Sequence, residues 1–146
     1  MIKVTEDNGK VISIDLAVSG TRATPNTSPV LKQAQKEIES YFAGSLTKFS
    51  IPLDLGKGTE FQRSVWKEIA KIKFGQVKTY ADIARAIGKP LAARAVGGAV
   101  GSNPIPLVVG CHRVLGSSGK ITGYSGGKGL PTKRILLKLE GIESKE

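Results

Sequence analysis

The chain has 146 residues, 40% of them hydrophobic, and a formal net charge of +10, enough for one good core or a core plus a small satellite domain. A single cysteine and a single histidine exclude an intramolecular disulfide and a cysteine-based zinc cluster, argue against any metal site, and suit a reducing cytosol. No apolar run is long enough to span a membrane, and the first thirty residues lack the basic start and apolar stretch of an export signal, so a cytoplasmic protein is expected.

Ile2 to Glu6 and Val11 to Leu16 alternate apolar and polar residues around Asp7-Asn8-Gly9, the pattern of a β-hairpin. Ser28-Pro29 then reads as an N-cap with proline at the first helical position, and Leu31, Ala34, Ile38 and Phe42 form the helix's apolar stripe, ended by Gly44. Phe49 to Leu55 reads as a strand and Gly56-Lys57-Gly58 as a linker. Residues 1–56 thus form a small sheet covered by one helix, with no evident chemistry.

The second domain, 57–146, opens with a capping-box spacing at Thr59 and Gln62, ahead of a stripe of Phe61, Val65, Ile69 and Ile72, with Trp66 beside it as core. Thr79 and Asp82 start a short helix through Ile83 and Ile87, stopped by Gly88. Lys89-Pro90 then turns the chain into a second helix over 92–102, a weak helix-turn-helix signal. In that second helix Val96, Ala99 and Val100 face the core, while Arg94, Gly97, Gly98 and Gly101 fall on another face. Interior glycines cost about 1 kcal/mol each. Tight helix packing and close approach of a DNA groove both account for them. The charge is divided unevenly: residues 1–56 balance six Lys/Arg against six Asp/Glu, whereas 57–146 carry sixteen against six, which suits a polyanion partner.

Leu107-Val108-Val109 reads as a buried strand, broken by Gly110 and followed by Cys111, His112 and Arg113. A thiol beside an imidazole and a guanidinium is in the electropositive company of a nucleophile. A lone buried cysteine is also an ordinary small hydrophobe. Adjacent residues of an extended chain point to opposite faces, so His112 reaches Cys111 only through a turn or a water. Beyond the cysteine, residues 116–119 read as a turn and 123–129 as a loop. Pro131 opens a last helix with Ile135, Leu136 and Leu139 apolar, and Gly141 ends it. Glu140, at that helix's C-terminus, opposes the helix dipole and is either solvated or held by a cation such as histidine or arginine.

Five segments in order, residues 75–80, 92–99, 103–106, 111–114 and 123–127, resemble the successive motifs of the O6-alkylguanine-DNA alkyltransferase family. The resemblance implies an α/β two-domain fold: a small ribonuclease-H-like N-terminal domain, then a mainly helical, winged-helix-like helix-turn-helix domain. It implies repair by transfer of the alkyl group of O6-alkylguanine, and of O4-alkylthymine, to Cys111, once per molecule and without a cofactor. Catalysis would involve His112 polarising the thiol through a water, Glu140 holding the imidazole, Asn103 buttressing the turn and Tyr80 donating to guanine N3. The partner would be double-stranded DNA entered from the minor groove by a monomer, with the damaged base rotated out of the stack and Arg94 filling the gap. Tyr80, Ala81, Lys89, Ala93, Gly97, Gly98 and Ser117 would lie on DNA, and Pro106, Val114, Tyr124 and Ser125 in the substrate pocket.

One position departs from the family pattern, Gly110 where proline ordinarily precedes the cysteine. Glycine relaxes what proline fixes, so transfer is expected to persist but more slowly. Two other classes are a lesion sensor of the alkyltransferase-like kind, against which the retained cysteine argues, and a plain helix-turn-helix module with an incidental thiol.

Overall fold

In the computed structural model, which describes residues 2–16, 28–56, 58–116, 119–120 and 129–142, Asn8 and Gly9 take positive φ of 51° and 75°. Both central residues at positive φ make the turn that matches strand twist, and it joins β1 (Lys3–Asp7) to β2 (Lys10–Asp15). The strands pair antiparallel from Lys3↔Asp15 to Asp7↔Lys10, with an irregularity between Thr5 and Glu6. The strand expected over 49–55 does not form. Only an isolated parallel bridge joins Val11 to Leu53, because Pro52 offers its carbonyl to Val11 N at 2.9 Å but has no N–H to extend a ladder.

Helix α1 (Pro29–Phe42) covers the hairpin. Its buried stripe is Val30, Ala34, Ile38 and Tyr41, whereas Phe42 is 41% exposed. The sequence pattern put Phe42 inside; the core instead takes the neighbouring aromatic, whose hydroxyl finds a buried acceptor.

Helix α2 (Glu60–Ala70) begins with the expected reciprocal box between Thr59 and Gln62 and buries Val65, Trp66 and Ile69. The same box between Thr79 and Asp82 caps α3 (Tyr80–Ala86). Gly88, at φ 77°, turns the chain toward α4 (Ala93–Gly101). The three helices pack on one another, and Trp66 Nε1 donates to the Ala99 carbonyl at 2.8 Å, fastening α4 to α2.

Leu107 to Val109 do not form a strand. Leu107 sits at φ 76° in a turn, Val109 N donates to Ile105 O at 2.9 Å and Cys111 N to Val109 O at 2.7 Å. The apolar side chains suit a strand, but these local bonds use the backbone groups a ladder would need. Cys111–Arg113 is a 3₁₀ turn, followed by β4 (Val114–Leu115), which pairs in parallel with β3 (Lys78–Thr79). This two-residue pairing sets the start of α3, with Tyr80, beside the segment that leaves the cysteine. In α5 (Leu130–Leu139) the buried positions are Lys133, Leu136 and Leu137, and Ile135 is 63% exposed. The true stripe runs Lys133, Leu136, Leu137, Glu140, and its charged ends hid it from a reading based on apolarity.

The two parts of the chain share one core. Val11, Ile14, Val30, Ala34 and Ile51 pack in the same cluster as Val65, Trp66, Ile69, Val96 and Cys111, and Ile14 N donates to Pro104 O at 2.9 Å. No helix among the described residues is long and apolar enough to cross a membrane.

Candidate active site

The 3₁₀ turn buries three consecutive side chains. Cys111 is 4% exposed, His112 0% and Arg113 7%. It follows a loop clamped by Asn103, whose Nδ2 donates to Val109 O at 2.8 Å and whose Oδ1 accepts from Ile105 N at 3.0 Å. One side chain therefore ties the end of α4 to the approach to the cysteine.

Behind the turn, Glu140 collects donors. Its Oε2 lies 2.6 Å from His112 Nε2 and accepts from Tyr41 Oη at 2.6 Å and Arg113 Nη2 at 3.0 Å. Its Oε1 accepts from Arg113 Nε at 2.8 Å and Gly75 N at 3.2 Å. Of the two readings open for Glu140, solvated or held by a cation, the second is observed. Burial would raise its carboxyl, but bonds from His112, Arg113 and Tyr41 outweigh this and hold it far below the usual carboxylate range. Burial pushes the Tyr41 phenol well above its ordinary value, and the bond to Glu140 adds to this, so it stays a donor.

These directions settle the imidazole. Burial lowers the His112 pKa against the opposing pull of Glu140, and Arg113 and Lys133 lower it further. His112 is therefore neutral at pH 7. Because an ionised Glu140 can only accept, Nε2 carries the proton and Nδ1 presents its lone pair. Among the described residues, Nδ1 of His112 is the one buried side-chain nitrogen or oxygen without a hydrogen-bond partner.

The sequence put the Arg113 guanidinium beside the thiol; the structure bonds it to Glu140. Its Nη1 donates to Ile72 O at 2.8 Å. A cation that acts on Cys111 is Lys133, fully buried, with Nζ donating to Val114 O at 2.7 Å. Burial lowers its pKa to about 8, opposed by its attraction to Cys111 when that sulfur is ionised. Lys133 and Tyr41 were missed as site residues, and Arg113 was read as a companion of the thiol rather than of Glu140. For Lys133 a signal existed: it stands seven residues before Glu140, two helical turns along the same face.

Gly110 has φ −73° and ψ 61°, a φ that proline also adopts. A Cβ there would meet Arg113 Cδ and Nη1 at 3.0 Å. Glycine thus makes room for the guanidinium that neutralises Glu140, and the loop it sits in is held by the Asn103 clamp.

The exposed face of α4 is bare. Among the described residues, nothing lies within 4 Å of a Cβ placed on Gly98 or Gly101, and a Cβ on Gly97 would only touch Tyr80 Cδ1 at 4.0 Å. Packing against another helix therefore does not account for Gly98 and Gly101. Arg94 is exposed on the same helix, Ala93 and Ala81 are partly buried, and Tyr80 is half-buried at the start of α3. Lys89 is exposed, with Nζ 5.9 Å from the Phe61 ring centroid. Val114 and Pro106 are buried. Ser117, Tyr124 and Ser125 lie outside the described residues. Among the described residues no group of three or more His, Cys, Asp or Glu is placed to hold a metal ion.

The sequence matches the family profile described as "6-O-methylguanine DNA methyltransferase, DNA binding domain" over residues 60–142 and its ribonuclease-like domain over 2–55. The chain belongs to this methyltransferase family. The methylated-DNA--protein-cysteine methyltransferase of Methanosarcina acetivorans is 50% identical over 110 residues, covering 75% of this chain and 69% of that one. A crystal structure of Mycobacterium tuberculosis OGT in complex with DNA superposes with a TM-score of 0.83 at 43% identity, covering 95% of this chain and 85% of that chain. The S. pombe protein Atl1, in complex with damaged DNA containing O6-carboxymethylguanine, matches at 35% identity and TM-score 0.52 but covers only 60% of this chain and 82% of its own. The methyltransferase fold is thus present with both of its domains.

Proposed function

We propose that this chain repairs O6-alkylguanine in double-stranded DNA by transferring the alkyl group to Cys111, acting once per molecule. The observation that carries the reading is the neutral His112, held at Nε2 by Glu140 and left with an open Nδ1 lone pair next to the sole cysteine. His112 takes the thiol proton through a water, and Sγ attacks the alkyl carbon. The S–C bond forms as the C–O6 bond breaks, the electron pair passes to the guanine, Tyr80 donates a hydrogen bond to N3 of the leaving anion, and the guanine takes up a proton at N1 from solvent in exchange for the one the thiol gave up. The product is a thioether on Cys111 and unmodified guanine, with no cofactor.

The bare face of α4 supports a close approach of DNA backbone, with Arg94 taking the place of a base rotated out at a cost of a few kcal/mol. The match to Atl1 leaves out two fifths of this chain, and the chain keeps its cysteine, so transfer is favoured over sensing.

Incubation with a duplex carrying one O6-methylguanine, followed by intact-mass measurement, tests the proposal. The expected result is a gain of one methyl mapped to the peptide containing Cys111 and absent with unmodified duplex. Tight binding to the lesion with no mass gain would sink it.

A further inference from the structure

Tyr41 belongs to α1, ninety-nine residues before Glu140, in the part of the chain that carried no recognisable chemistry. It is fully buried, and its ring is fixed by three others: Phe42 at 5.3 Å, Phe49 at 5.4 Å and Phe74 at 6.1 Å between centroids. From this cage the phenol reaches the same oxygen, Oε2, that holds His112. A buried hydroxyl needs an acceptor, but any backbone carbonyl would serve. Here it is spent on the one carboxylate that orients the imidazole.

We propose that Tyr41 is a positioning residue for alkyl transfer, through which the N-terminal domain fixes the Glu140 carboxylate and limits its hold on His112. The inference rests on the transfer reading above. Three donors on Oε2 divide the negative charge of that oxygen, so the imidazole meets a weaker acceptor than a carboxylate it held alone. The groups facing His112 are Glu140 and Lys133 from α5, with Arg113 and Cys111 from its own turn; those facing Glu140 are Tyr41 from α1, His112, Arg113 and the Gly75 N–H. Removing the phenol oxygen leaves the carboxylate more strongly attracted to imidazolium. His112 then protonates at higher pH, and the imidazole loses its lone pair where it is needed.

The test is Tyr41→Phe, which keeps the ring in its cage, with two measurements. The first is the ¹⁵N NMR titration of the single histidine. The second is the single-turnover rate of methyl transfer against pH, at saturating lesion duplex. The expected result is an upward shift of the His112 titration by about half a unit or more and, on the acid limb where the rate follows the neutral imidazole, a fall in rate of about threefold. The acid limb of the rate profile should move up with the titration, and duplex affinity should stay unchanged. Site-specific 3-fluorotyrosine at position 41, a stronger donor of the same shape, should shift both in the opposite direction, and it decides the matter if Tyr41→Phe does not fold. A loss of thermal stability with the titration and rate profile unmoved would overturn the proposal, because a merely structural tyrosine predicts that pattern. Failure of the wild-type chain to transfer methyl would overturn the repair reading, while the titration would still decide whether Tyr41 acts on His112.

Discussion

The outer face of α4 and the cluster behind Cys111 are built on opposite terms. One is nearly stripped of side chains and open, with Arg94 as its single long group beside three glycines. The other packs a phenol, an imidazole, a guanidinium and a carboxylate into a buried cluster. What separates them is where free energy is held. The cluster is self-satisfied: Glu140 is neutralised by Arg113 and His112 is uncharged, so it asks nothing of a partner except at Nδ1. The helix face is open and leaves room for something laid against it. Changes to the face should therefore alter DNA binding with the fold intact, and changes to the cluster should alter stability and chemistry with binding intact.

The largest expected effect is at Glu140. Glu140→Gln leaves Arg113 buried without its counter-charge, at about 3–5 kcal/mol of stability, and should slow transfer on the order of 100-fold or more by releasing His112; urea denaturation and single-turnover kinetics read the two losses. The cluster also sets the response to acid. A His112 that resists protonation when folded makes stability fall as pH drops below the free value of 6.5, where the unfolded chain takes up the proton first. Glu140, held ionised when folded, makes it fall again below 4.5. A urea midpoint that stays flat from pH 7 to 4 would contradict the burial of His112 and the bonds that hold Glu140 ionised.

Next in size is Arg94→Ala, expected to weaken lesion-duplex binding by about tenfold with an unchanged melting temperature. A shifted melting temperature would mean the face is not independent of the fold. Gly110→Pro follows. Because its ring carbon meets Arg113, it should cost about 1 kcal/mol and slow transfer rather than speed it. A faster Gly110→Pro variant would restore the view that glycine merely loosens the loop. The smallest effect sharpens the comparison most. Gly98→Ala should stabilise the free protein by about 0.5–1 kcal/mol while weakening its grip on duplex DNA, two signs that no packing role for Gly98 would give together.

Legibility in the sequence followed the range of the interactions. Asn8-Gly9, the boxes at Thr59 and Thr79, and the turn at Gly88 are decided within four residues, and each was readable. The stripes were readable only where apolarity and burial coincide, as at Val65 and Ile69. They were misassigned at Phe42 and Ile135, where Tyr41 and Lys133 are buried in their place because each has a polar partner far along the chain. The failure at Leu107–Val109 has a similar source: β-prone side chains signalled a strand, but Asn103 holds the backbone in a turn. Glu140 was recognisable because a carboxylate at a helix C-terminus is locally unfavourable, and the cations that make it tolerable could be guessed in kind. The tyrosine could not, since nothing near residue 41 announces a contact with residue 140.

The Asn103 clamp gives the molecule a fixed gauge. With its amide bridging Val109 and Ile105, the segment between the end of α4 and the cysteine turn is tied into one conformation. On the proposed reading, a guanine still stacked in the duplex is out of range however tightly the helix is seated, and only a base swung clear comes to that mark. Selectivity then begins as a matter of reach, settled before any chemistry at O6 is sampled.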